Sequence, residues 1–184
     1  MSKAISLSCT HLISIAKILL AGVLFSSCTT VLFTTPQPDE AEPLESFPAR
    51  FTGTFLVDKS DTVVISAKEI KWPEERPMVV NGNGLNDLIL KPFSKGLVVN
   101  VRDSTGWIVV LMRPMRNRSV VLYLLEAENE KSIERIKALT QVTLENKPGF
   151  EQDRLRIVGK PSLLESLYRK GRFRKWVKLK KLQQ

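Results

Sequence analysis

Cysteine and histidine are almost missing from this chain. Its 184 residues hold two cysteines, Cys9 and Cys28, and one histidine, His11. From residue 29 onward there is neither. That excludes Ser-His-Asp and Cys-His catalysis there. It excludes zinc sites built from His or Cys and a histidine pH switch. No metal site and no cofactor is expected. Acidic residues are missing at the amino end, where none precedes Asp39. A long apolar run is missing too. A membrane-spanning helix needs about 20 apolar residues, but Lys17 and His11 interrupt residues 13 to 25 and their approach.

What the amino end does have is ordered like an export signal. Lys3 and Lys17 give a positive flank, residues 18 to 25 are apolar, and Ser26 and Ser27 are small. Cys28 follows at once. This arrangement resembles the lipobox of bacterial lipoproteins, which are cut just before a cysteine that carries acyl chains. Phe25 stands where that family prefers Leu. The resemblance implies a signal peptide over residues 1–27, lipidation (palmitate among the acyl groups) at Cys28, and a tether to the cell envelope. Each buried methylene contributes about 0.8 kcal/mol, so several chains make release slow. Residues 29 to 35 carry no acid, which leans towards an outer-membrane protein facing the periplasm. Two other readings stay open: a retained membrane helix, and a cleaved signal with Cys28 incidental. The lipoprotein reading leaves no disulfide, because Cys9 leaves with the signal and lipid occupies Cys28.

Residues 28–49 contain Pro36, Pro38, Pro43 and Pro48 among acids and small polar side chains. Such a segment is expected to stay extended, as a flexible acidic spacer between anchor and domain. The domain is expected over 50–184, as one α+β unit.

The pattern there is mainly an antiparallel β meander. Strands are expected over 51–57, 62–66, 69–72, 87–91, 96–101, 107–112 and 119–125, divided by turn clusters such as Asn81-Gly82-Asn83-Gly84 and Asp103-Ser104-Thr105-Gly106. The central runs are nearly continuous in apolar residues, so both faces should be covered, by helices or by the sheet curling into a partly closed barrel. Two short helices are expected in the last third. Asn129 caps one, with Ile133, Ile136 and Leu139 on a face. Ser162 and Glu165 form a capping box for the other, with Leu164, Leu167 and Tyr168 buried and Gly171 as the stop. Strands at 142–144 and 154–158 lie between them. The last strand should show Phe173, Val177 and Leu179 on one side.

Charge is uneven. The formal +9 falls to +7 when Lys3 and Lys17 leave with the signal, and residues 169 to 181 hold eight basic residues and no acid. Arg169, Lys170, Arg172, Arg174, Lys175, Trp176, Lys178, Lys180 and Lys181 are therefore the candidate contacts for an anion or a membrane surface. The plainer alternative is an edge strand whose lysines block pairing with another sheet. Nucleic acid is a poor partner for an exported chain. The carboxylates Asp58, Asp61, Asp87, Asp103, Glu126 and Glu128 sit near strand ends, but no spacing selects an acid/base pair. Trp72 and Trp107 could line a ligand groove, though core packing is the commoner use. The composition points to a tethered structural or interaction module without catalytic activity, its partner an envelope protein or anionic lipid headgroups. The alternative is a binder of a lipid or anionic amphipath in a barrel-like pocket. "Anion contact or edge strand" is the choice left to the fold.

Overall fold

In a computed structural model, residues 29–57, 61–72, 77–81, 87–94, 96–125, 127–145 and 154–182 are described. Cys28 and residues 1–27, where a signal peptide is expected, lie outside them, as do Asp58, Glu126 and most of the Asn81-Gly82-Asn83-Gly84 turn.

Among the described residues, twelve strands join one mixed sheet. They are β1 (Thr30–Phe33), β2 (Gly53–Leu56), β3 (Thr62–Ile65), β4 (Glu69–Lys71), β5 (Met78–Val79), β6 (Leu88–Phe93), β7 (Gly96–Arg102), β8 (Trp107–Pro114), β9 (Val120–Leu125), β10 (Val142–Glu145), β11 (Arg154–Ile157) and β12 (Phe173–Lys181). Helix α1 (Glu130–Lys137) follows β9, and α2 (Leu163–Arg169) precedes β12. The strand order is β10-β11-β1-β8-β9-β12-β2-β3-β4-β5, with β7 on the other side of β8 and β6 beyond it.

The expected meander is present in two runs, β2 to β5 and β6 to β9. The last strand joins them, because β12 pairs with β9 on one side and β2 on the other. Only Lys180 and Lys181 pair with β2, so the strand is joined on that side at its far end, while Phe173 to Leu179 pair with β9 alone among the described strands. The sheet does not close into a barrel. β5 has only two residues, and only an isolated bridge, Val80 to Leu88, spans the gap to β6. The two ends nevertheless share one apolar cluster, so the sheet curls.

Both faces of β7, β8 and β9 are covered, as their continuous apolar runs demand. Leu97, Val99, Val110, Met112, Val120 and Leu122 face the inside of the curl, with Phe47, Phe51, Phe55, Val63, Ile65 and Leu179. Val98, Val109, Leu111 and Leu125 face the other way, against Ile136 of α1, Leu163, Leu164 and Leu167 of α2, and Phe33, Leu155 and Ile157.

Residues 29–49 are not a free spacer. β1 lies between β11, which it pairs in parallel, and β8. Val31, Leu32 and Phe33 are buried, Phe33 completely. The prolines do not keep the next residues extended in solvent, because buried side chains satisfy their backbone. Asn100 accepts from the Gln37 amide at 2.6 Å and donates to the Gln37 carbonyl at 2.9 Å. Lys91 donates to the carbonyls of Pro36 and Pro38, at 3.2 and 2.8 Å. A polar group buried without such partners would cost a few kcal/mol, so these contacts fix the path. Leu44 then bridges Leu90 on the outer edge of β6, which covers that edge against further pairing.

Two local expectations change and one holds. Ser162 does not form a capping box: it sits at φ 60° with no side-chain bond to the helix, and Glu165 instead pairs with Arg169 at 2.9 Å. The Asn129 cap does form, reciprocally with Ser132. β6 runs through Pro92 to Phe93, which an outer strand tolerates because the missing N–H need not face a partner.

Candidate functional site: an apolar cavity with one polar end

Inside the curl is a cavity of about 920 Å³. Val63 and Ile65 of β3, Ile70 of β4, Met78 of β5, Val99 and Val101 of β7, Ile108, Val110 and Met112 of β8, Leu122 and Leu124 of β9, and Leu179 of β12 line it. Towards β1 the lining continues onto the helix-side cluster, through Val31, Phe33, Val109, Leu125 and Ala127. Phe47, Phe51 and Phe55 belong to the same cluster but do not line the cavity; they fill the rest of the interior. The volume is near the upper end of the roughly 300–1,000 Å³ usual for small-molecule sites.

The polar lining is Thr29, Thr30, Glu128, Arg174 and Lys175, joined by the amphipathic rings of Trp72 and Trp176. The register puts most of these at one end. The beginning of β12, the end of β9 and the first half of β8 lie side by side there, through Arg174 opposite Leu124 and Leu124 opposite Val110. β1 meets β8 at the same end, Phe33 opposite Trp107. β1 and β9 lie on the same side of β8, since β7 occupies the other. They must part, and Thr30 and Glu128, on either side of that rift, both line the cavity.

A β-bulge shapes the rim. Lys175 opposes Tyr123 and Val177 opposes Leu122, so Trp176 is a surplus residue with no opposite partner. Bulges re-aim side chains. Trp176 is 55% exposed, and its ring lies 6.1 Å from Trp72. The bulge also explains why Phe173 does not share a side with Val177 and Leu179. It packs with the helix-side cluster, while the other two pack inward. Arg174 faces the cavity, opposite inward-facing Leu124. Its Nη1 donates to both carboxylate oxygens of Glu128.

The nine candidate residues of the basic stretch therefore do not form one stripe. Arg169 and Lys170 are exposed at the end of α2, and Arg172 is half-buried. Arg174, Lys175 and Trp176 meet at the cavity rim. Lys178, opposite Val121, and Lys180, opposite Leu56, lie on the outer face. Lys181 turns inward, donates to the Thr52 carbonyl at 2.6 Å and lies over the Phe55 ring. Of the two tryptophans, Trp72 lines the cavity and Trp107 is core. Asp103 pairs with Arg154 at 2.8 Å, and no group of three or more potential metal ligands occurs among the described residues. No helix among the described residues is long and apolar enough to cross a membrane.

Sequence reasoning missed the role of β1 and the bulge. The run Thr30-Val31-Leu32-Phe33 carried a strand signal that the reading as a spacer absorbed. Lys91 and Asn100, polar residues inside apolar strands, marked where that segment packs. In comparison with known proteins, no family model, no curated protein and no solved structure matched the chain.

Proposed function

We propose that this chain is a lipid-anchored envelope protein, tethered through Cys28 at the outer membrane on its periplasmic side, whose domain takes up one amphipathic molecule. The apolar part enters the cavity and the polar part stays at the rim. One observation carries this reading: a large cavity with aliphatic walls has its charged lining gathered at a single end. That division matches a molecule with one apolar and one polar end. About ten buried methylenes would supply about 8 kcal/mol before the costs of binding. No catalytic role is assigned. The competing reading, an interaction module working through the basic carboxyl-terminal stretch, has less support, because those residues are divided between the end of α2 and both faces of β12.

The anchor and the uptake are tested separately. Intact mass of the full chain, beside Cys28→Ala, should show an acyl increment that the variant lacks; an unmodified wild type would remove the anchor. For uptake, the full chain in phosphatidylcholine nanodiscs is titrated with dodecanol, and tryptophan fluorescence is followed. Saturable binding of about one molecule per chain is expected. A featureless linear response would remove the proposed cargo.

A further inference from the structure

Arg174 belongs to the one ion pair that lines the cavity among the described residues. Its position is set by register, not by a flexible loop, since the strand on either side of the bulge is held by pairing to β9. A guanidinium presents two parallel N–H groups that match a carboxylate or a phosphate. Here Glu128 holds one corner of the guanidinium, with both carboxylate oxygens on Nη1. Glu128 stands on the short connection between β9 and α1, and it lines the same rim. The side chains of Arg174 and Glu128 are 61% and 45% exposed. A pair that open to solvent contributes little to stability, so exchanging its anion costs the fold little. An apolar chain entering the cavity would bring its headgroup to this end.

Resting on the cavity reading above, we propose that Arg174 receives the single negative charge of a one-chain amphipath, and that Glu128 holds that place when no ligand is bound. The ligand class is then an alkyl or acyl chain with one carboxylate or phosphate. Its polar end replaces Glu128 on Arg174, and Glu128 turns to solvent. Uncharged amphipaths of the same length would enter the cavity and leave the Arg174–Glu128 pair intact.

The test uses the full chain in phosphatidylcholine nanodiscs, with dodecanoate, dodecyl phosphate and dodecanol as probes. Partitioning of each probe into the disc is common to all variants and cancels in the comparison. The wild type should bind at least one of the anionic probes about tenfold more tightly than dodecanol. Arg174→Gln should remove that preference by weakening the anionic probes about tenfold, a larger change than for dodecanol. Glu128→Gln should strengthen anion binding several-fold, again more than it alters dodecanol, and it keeps the test usable if Arg174→Gln folds poorly. Preference for dodecanoate or for dodecyl phosphate separates a fatty-acid-like from a phosphate-bearing ligand. An anion preference that survives Arg174→Gln, or dodecanol binding with no anion preference at all, overturns the assignment of Arg174 and leaves the cavity reading standing. If no probe binds, both fall together.

Discussion

The two faces of β7, β8 and β9 both bury apolar side chains and end up differently. On one face, α1, α2 and the β1–β11 pair press side chains into the sheet, and Ile136, Leu155 and Leu167 are completely buried. On the other face the sheet covers itself by curling, and space is left over. Side chains on a helix can turn and slide until they fill a groove. A sheet that meets itself is held by its ladders and can approach only as far as register and strand length allow. The contrast shows that hydrophobic content alone does not determine whether a region becomes core or cavity; what covers it does.

The contrast can be broken most severely on the filled side. Leu155→Ala should cost about 2–5 kcal/mol, because its surroundings cannot collapse onto the gap. Urea unfolding followed by circular dichroism would register this, and a loss below 1 kcal/mol would show that face to be loosely packed. Neighbouring positions on β8 sharpen the comparison. Leu111 faces the helices and Val110 faces the cavity. Leu111→Phe overpacks a filled region and should cost about 1–3 kcal/mol, whereas Val110→Phe has room and should stay within about 1 kcal/mol. Equal losses from the two would mean that the cavity is not open space. The smallest effect is expected from deleting Trp176. Removal of the surplus residue leaves Arg174 and Val177 facing inward and Phe173 facing outward in an unbroken ladder, so stability should change by less than about 1 kcal/mol while Trp72 loses its partner. Deleting Lys178 instead reverses one half of the strand and should unfold the domain. If both deletions have the same effect, the bulge is not where the register places it.

Much of this architecture was legible in the sequence because period and turn chemistry are local. The Asn129 cap, Gly171, the Asp103–Gly106 turn and the strands from β6 to β9 all follow from neighbours in the chain. The rest depended on distant partners. Thr30 to Phe33 could be recognised as an interior strand only with β11 and β8 beside it, more than seventy residues away. The basic stretch looked like an edge because lysines are usual at edges, yet β2 pairs with its far end. Trp176 looked like one aromatic among cations. Its role at the rim comes from a one-residue mismatch with β9, which no periodicity within β12 alone displays. Trp72 was legible as a groove candidate, while the cavity it lines arises from strands at opposite ends of the sheet.

The position of β1 also has a mechanical consequence. Thr29 alone separates residue 28 from the first paired residue, Thr30. A pull applied at residue 28 along the strand therefore reaches the sheet almost without slack. It would load the parallel pairing of Thr30 to Phe33 with Arg154 to Ile157 in shear, so several hydrogen bonds must yield together rather than one after another. The same pull acts beside the rift between β1 and β9, whose residues Thr29 and Thr30 line the cavity. Tension on the amino end is thus borne next to the polar end of the cavity, by a pairing that resists as a unit.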